Sequence, residues 1–469
     1  MKTRARVVLI AMFVLAAAVC RAQDATQADP ETDAAQAQNT TKPPSEFPSD
    51  NLPDAGQAPT TPPPQTAQVA TQPSPQSSID NSIDASEGDE DLQTHTAVPW
   101  NQYRGRHFTI RFGAGLLYEA DAYAQNQQSK EQFSLLPEGK LRDFRFLIGG
   151  SFPDLKRITW SAGIMYDAPT SSWLIRQTGV MIALPEIWGH IFIGRGKEGF
   201  SLNKVMTGYD GWTMERSTMN DATIPILADG IKWLGYVPKL HILWNLGYYN
   251  DFLSKNQSFS TYSSQEVLRF AYLPILSDEH RSLLHLGINL RNGVPENEQI
   301  RFKSRPEVFP APFFVDTGSM PASSTQMAGY EVYYRKGPWM FGSEYWFVHV
   351  TSPSESNPLF KGGDFAATWL ITGETRPYDT AGGFFREIVP LRSVFKGGPG
   401  AWEVLLRYSQ IDLDSHTIQG GQFGRITPGL NWYLSDSVRL EFEYGFGRLD
   451  RFNLKGDTQF FQTRVQLQL

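Results

Sequence analysis

The sequence predicts an all-β protein: a transmembrane, antiparallel, up-and-down β-barrel of sixteen strands behind a long disordered leader. Three observations lead there. Apolar and polar residues alternate with a period of two through segments of roughly ten residues, and no helical period is sustained. The chain opens on an export signal. Its aromatic residues (30 Phe, 18 Tyr and 12 Trp) lie almost entirely behind residue 99, with only Phe13 and Phe47 before it. Trp and Tyr recur near strand ends, where a membrane barrel carries its interfacial girdles.

The N-terminus reads as an address. Lys2, Arg4 and Arg6 precede an apolar run from Val7 to Val19, and Cys-Arg-Ala-Gln comes next. A short apolar core behind positive charge, closed by small residues, is a secretory signal peptide, here 1–22 with cleavage after Ala22. The run is too short to span a hydrocarbon core. Acylation at Cys20 is the lesser alternative, because Val19 is large for that signal. Cys20 is the only cysteine, which excludes a disulfide framework and a cysteine-ligated zinc site. Residues 23–98 hold 11 Pro and 10 Gln, and Lys42 is their only basic residue. Such a segment buries too little apolar surface to offset chain entropy, and it reads as a disordered acidic spacer. Residues 1–98 carry 5 Lys+Arg against 13 Asp+Glu, which leaves 37 against 36 for residues 99–469. That balance argues against nucleic-acid binding, and no later apolar run is long enough for a transmembrane helix.

Residues 99–469 form the expected barrel domain. In "HFTIRFGAGLLYEADAY", Phe108, Ile110, Phe112, Ala114 and Leu116 share one face. In "LLHLGINLR", Leu284, Leu286, Ile288 and Leu290 oppose His285, Gly287, Asn289 and Arg291. Trp402, Val404, Leu406 and Tyr408 oppose Glu403, Leu405, Arg407 and Ser409. The chain ends with Phe461, Thr463, Val465, Leu467 and Leu469 against Gln462, Arg464, Gln466 and Gln468. Seventeen candidate strands begin near residues 107, 140, 157, 172, 187, 229, 240, 265, 281, 300, 325, 338, 363, 400, 421, 437 and 458. Single-chain bacterial barrels have even strand counts, so sixteen is expected and 172–194 is the weakest stretch. A soluble sandwich would give the same alternation. The export signal, the aromatic strand ends and a second face rich in Arg, Glu, Gln and Gly favour a barrel with a wet lumen.

Alternation assigns Arg111, Arg145, Arg269, Arg407, Arg425, Arg439 and Arg464 to that lumen. In "IRFKSRPE", Arg301, Lys303 and Arg305 share a face opposite Ile300 and Phe302. A guanidinium presents several N–H donors to an oxyanion and stays charged at any working pH. Such groups in a narrow channel concentrate anions, and several shallow sites in series let them leave again. Glu119, Asp121, Glu331, Glu403, Glu441 and Glu443 offer the opposite outcome, a neutralised ladder with weak selectivity, and a structural barrel with a plugged lumen and no conductance is the further alternative. Residues 197–228 break the alternation. They read either as a constriction loop with Lys197, Lys204 and Arg216 as its basic residues, or as an external loop whose charges pair internally, as Glu215 with Arg216.

"GRGKEGFSLNKVMTGYDGWTMERS" (194–217), "GETRPYD" (373–379) and the run "GAWEVLLRYSQIDLDSHTIQGGQFGRITPGLNWYLSDSVRLEFEY" (400–444) resemble the phosphate-selective porin O/P family. The resemblance covers most of 105–469 and is most specific in the C-terminal third. It implies a sixteen-stranded barrel in the bacterial outer membrane, in contact with its lipid and built by the barrel-assembly machinery. It also implies a homotrimer, an inward-folded constriction loop and arginines along a path for anions such as phosphate. No cofactor is implied. Gly199 stands where the family usually has Pro in "KEPFS", Leu469 stands where an aromatic usually ends the chain, and the Pro-rich leader is unusual. Gly194, Gly196 and Gly199 match G-x-G-x-x-G, but no amphipathic helix comes after them, so a dinucleotide site is not expected. No P-loop, G-x-S-x-G or H-E-x-x-H occurs, and an enzyme is not expected.

Overall fold

The computed structural model describes residues 99–167, 171–250 and 261–469. The signal peptide at 1–22 and the leader at 23–98 lie outside the described residues. No helix among the described residues is long and apolar enough to cross a membrane.

The strands form one closed antiparallel sheet. In chain order they are β1 (Thr109–Gln125), β2 (Glu138–Ser151), β3 (Ile158–Asp167), an interrupted β4 (Ser172–Ile175 and Thr178–Leu184), β5 (Gly189–Gly196), β6 (Ala228–Val237), β7 (Ile242–Asn250) and β8 (Tyr262–Ser277). The second half comprises β9 (Ser282–Pro295), β10 (Ser324–Lys336), β11 (Trp339–Thr351), β12 (Leu359–Leu370), β13 (Ala401–Ser415), β14 (Ile418–Tyr433), β15 (Val438–Arg451) and β16 (Leu454–Gln468). Each strand pairs with its sequence neighbours. β1 closes on β16 in a register running from Gly115 opposite Gln468 to Gln125 opposite Thr458. A three-residue strand, Gln102–Arg104, lies against the start of β1 outside this cycle. The wall therefore has the sixteen strands that the alternation and the even-count rule predict.

The superfluous candidate strand is the one near residue 300, not the weak stretch 172–194, which supplies β4 and β5. Residues 296–323 connect β9 directly to β10. Within that connection only two-residue ladders form, Gln299–Ile300 with Met320–Pro321 and Lys303–Ser304 with Val315–Asp316. The period of two persists there for another reason. Ile300 and Phe302 are buried in an apolar cluster with Val308, Phe314 and Val315, which leaves the intervening basic side chains on the opposite side.

Burial is inverted relative to a soluble sheet. Leu286, Ile288 and Leu290 on β9 and Leu406 and Tyr408 on β13 are exposed, whereas Arg407, Ser409 and Glu403 are buried. Large apolar side chains on the outside of a closed sheet, with charges inside, suit a hydrocarbon surround. β14 carries Pro428 in mid-strand, and its ladder with β15 skips from Ile426–Phe446 to Gly429–Glu443. That is the local loss expected where a residue has no N–H to donate.

The chain termini of the wall and the short connections 152–157, 185–188, 238–241, 278–281, 337–338 and 434–437 share one end. Short turns mark the periplasmic side of such barrels. Residues 371–400 also leave from this end. The connections 197–227 and 296–323 leave from the opposite end. All three long segments fold back and dock on the inner face of the wall.

Candidate functional site

The interior is built by loops docking on the inward face of the wall. The segment 197–227 begins where β5 ends and includes the one-turn helix Leu202–Val205. Ser201 caps that turn, its side chain accepting from the Lys204 N–H at 3.1 Å. The turn is pinned to β11 by Glu344, whose carboxylate accepts from the Asn203 N–H at 2.8 Å and from the Ser201 and Tyr333 hydroxyls. Farther along, the Met214 N–H donates to Glu443 at 2.8 Å and Asn431 donates to the Trp212 carbonyl at 2.9 Å. Gly115 on β1 makes the close approach of Tyr209 possible, since a Cβ there would lie 2.4 Å from the Tyr209 hydroxyl. Residues 197–228 thus fold inward rather than standing outside, and Glu215 pairs with Arg142 and Arg464 of the wall.

The wall arginines assigned to the lumen by alternation do face inward, and most of them hold loops. Arg439 donates to the Gly211 carbonyl at 2.7 Å and pairs with Glu441. Arg464 reaches the Met214 carbonyl, Glu119 and, at 2.6 Å, Glu215. Arg407 donates to the Thr213 hydroxyl at 2.8 Å and the Glu215 carbonyl at 2.7 Å, and pairs with Glu307. Arg425 donates to the Pro306 and Glu307 carbonyls at 2.6 and 3.1 Å. Arg145 pairs with Asp143 at 2.8 Å and lies over the Tyr209 ring. Arg269 takes Glu331 bidentately at 2.7 and 3.1 Å and caps the Gly383 carbonyl at 2.6 Å. Arg111 is half-buried near the rim, opposite Gln102. Burial explains the pattern: a guanidinium removed from water needs a carboxylate and satisfied N–H groups.

The loop cations differ. Lys197, Lys204 and Arg216 hold backbone carbonyls of their own segment: Val205 at 3.2 Å, Ile224 at 3.1 Å, and Asn203 and Met206 at 2.8 and 2.7 Å. Burial pushes the Lys204 ammonium down to about 7, and Arg216 adds to that. Burial alone would raise the Glu215 carboxyl, but Arg142 and Arg464 outweigh it and hold it well below the ordinary range. Arg301 is half-exposed and bonded to Asp316 at 2.8 and 2.5 Å. It stands in a loop rather than in a wall strand, as do Lys303 and Arg305. Both of these are half-buried, and neither has a carboxylate within ion-pair distance among the described residues. The Arg305 Nε–H donates to the Ala311 carbonyl at 3.0 Å.

Sequence reasoning left out several residues of this interior, among them Arg142, Arg376, Arg291, Arg335 and Arg195, which pairs with Asp229 at 2.7 Å. Arg142 points inward because the register of β1 against β2 shifts between Leu117 and Tyr118, so alternation misplaces it. It donates to Glu215 at 2.6 and 3.0 Å. Arg376 comes from the segment 371–400, pairs with Glu403 at 2.8 Å and caps the Asp210 carbonyl at 2.8 Å. The run "GETRPYD" was the available signal for it. Arg291 and Arg335 follow the alternation and were legible. Arg291 donates to the Thr223 carbonyl at 2.8 Å, and Arg335 donates to the Arg376 carbonyl at 2.7 Å.

The sequence model of the family described as "Phosphate-selective porin O and P" matches residues 121–469. An uncharacterized protein of Caulobacter vibrioides is 27% identical over 146 residues, covering 31% of this chain and 29% of the relative. Porin O of Pseudomonas aeruginosa is 26% identical over 152 residues, covering 29% of this chain and 34% of that protein. The chain thus spans about a third of the length of the curated relatives it matches. Among solved structures, an anion-selective porin from Comamonas acidovorans aligns at 11% identity and a TM-score of 0.44, over 77% of this chain and 100% of that one. The outer-membrane channel DcaP of Acinetobacter baumannii aligns at 9% identity and a TM-score of 0.48, over 78% and 99%. The family match starts within β1 and continues through β16 to Leu469, taking in the wall and every infolded loop, so the chain belongs to the Phosphate-selective porin O and P family, porins of the bacterial outer membrane.

Proposed function

We propose that this chain forms a water-filled channel for passive diffusion of small anions across the outer membrane, phosphate-like oxyanions among them, and that it works as a homotrimer inserted by the barrel-assembly machinery. One observation carries the anion preference: Lys303 and Arg305 on the infolded loop are half-buried and have no carboxylate within ion-pair distance among the described residues. Fixed positive charge on a low-dielectric wall raises the local anion concentration. The family's description supports the same reading, and the Pseudomonas relative, Porin O, supports a porin. The wall arginines contribute less, because Glu119, Glu331, Glu441 and Glu307 neutralise Arg464, Arg269, Arg439 and Arg407. That pairing favours a second reading, a porin with little ion preference.

Reversal potentials in a potassium chloride gradient across planar bilayers separate the two. The anion reading expects an anion-selective potential that shrinks in Lys303→Ala/Arg305→Ala, together with phosphate and pyrophosphate block of the chloride current. A potential near zero in the native protein supports the second reading, and a cation-selective potential rejects the first.

A further inference from the structure

Residues 300–316 contain eight apolar side chains, and six of them, Ile300, Phe302, Val308, Ala311, Phe314 and Val315, are buried against the wall and the neighbouring loop. The two left half-exposed, Phe309 and Phe313, are the two that carry cations. The Lys303 ammonium lies 4.2 Å from the Phe313 ring centroid. The Arg305 guanidinium lies 4.4 Å from Phe313 and 5.7 Å from Phe309. The Arg142 guanidinium, from β2, lies 4.5 Å from Phe309. Cation and ring therefore alternate, Lys303–Phe313–Arg305–Phe309–Arg142. Beyond Arg142 the line continues through Glu215 to Arg464.

The members of this column are held in place. Arg305 is tied to the Ala311 carbonyl and Arg142 to Glu215. Pro310 and Pro312 flank Ala311 between the two rings and fix the backbone there. Lys303 sits in the short ladder with Asp316. A site preorganised in this way loses little entropy on binding.

The composition of the column sets its ligand. A small inorganic oxyanion is best held where several N–H donors converge without apolar surface between them. Here each positive group is separated from the next by a phenyl ring, which offers apolar contact beside the charge. Such an arrangement suits a ligand with an anionic head and a flat apolar body. We infer that the column of Lys303, Phe313, Arg305, Phe309 and Arg142 is a binding site for aryl carboxylates, on the path by which organic anions enter the channel. This rests on the anion-channel reading above and names the ligand class for the same loop.

The test is block of chloride current through the full-length protein in planar bilayers by benzoate, acetate and inorganic phosphate, with the chloride reversal potential recorded alongside. Benzoate is expected to half-block at a concentration about three- to tenfold below acetate, the size of effect one ring contact supplies. Phe309→Leu/Phe313→Leu keeps apolar bulk in the loop. In that variant the benzoate advantage over acetate should vanish. Arg305→Ala should weaken benzoate and acetate alike. Heat-modifiable migration on gels verifies that each variant forms a barrel. Equal block by benzoate and acetate in the native protein overturns the inference, as does a benzoate advantage that survives loss of both rings. If the native reversal potential is anion-selective, either result leaves the anion-channel reading standing. A cation-selective potential with no block by any of the three anions sinks that reading and the inference with it.

Discussion

An arginine withdrawn from water is stabilising only while its partners remain, as Arg407 illustrates. Its guanidinium satisfies Glu307 from one loop and the Thr213 hydroxyl and Glu215 carbonyl from another. Arg407→Ala leaves buried Glu307 with only the more distant Arg425, at 3.9 Å, as counter-charge, so the loss falls at the low end of the about 3–5 kcal/mol that breaking a buried pair costs. Chemical unfolding in detergent should register it, and Arg407→Ala/Glu307→Gln should recover part of it. Lys204 gives a second residue-level test. Its ammonium, pushed down to about 7 by burial and by Arg216, sheds its proton as pH rises through neutrality. The infolded loop then loses positive charge, so, on the anion-channel reading, anion preference should fall between about pH 6 and about pH 8. Lys204→Met should show no such fall. The stability sign is opposite. Between about 7 and the ordinary lysine range near 10, the unfolded chain binds more protons than the folded one, so stability rises with pH across that window. At this scale the sequence showed which arginines face inward, because a strand's period is two. It did not show their partners, because those arrive from loops up to several strands away.

Elements were legible where one face met lipid and the other met the interior. Two failures have physical causes. The segment near residue 300 alternates because a loop lies on an apolar cluster, and a loop lying on a flat apolar surface has the period of a strand. Arg142 escaped because a register shift, invisible in the sequence, turns it inward. The segment 371–400 is the least foreseeable element. It enters from the end where connections are short and sets Phe384 and Phe385 in one apolar cluster with Val205, Met206, Trp212 and Tyr333. Gly383, at φ +73°, lets the chain turn beneath Arg269, since a Cβ there would lie 2.9 Å from that guanidinium. Phe384→Ala/Phe385→Ala removes the shared apolar contact between this insertion and the infolded segment 197–227. Truncation of a buried Phe costs about 3–5 kcal/mol. The variant should show a larger and noisier single-channel conductance. A trace identical to the native one would mean that the insertion does not limit flow.

The whole molecule is organised by two solvents. The outer wall meets hydrocarbon, and Ile288, 55% exposed on β9, stands in that band. Ile288→Arg should cost about 2–4 kcal/mol of folding free energy in lipid if it lies near the bilayer midplane. A refolding titration in liposomes measures this, and a neutral effect would place β9 out of contact with the membrane. The inner face is lined by infolded loops that dock on the wall through apolar clusters and a net of buried ion pairs. The sequence by itself determined the class of fold, the strand count and which side of each strand is greasy, because these derive from a local period and from the rule that closed barrels have even counts. The tertiary structure alone decided which cations are neutralised and which stay available. Ion pairing depends on distances across the lumen between Arg407 and Glu307, Arg464 and Glu215, or Arg376 and Glu403, and chain closure, not local pattern, brings those groups together.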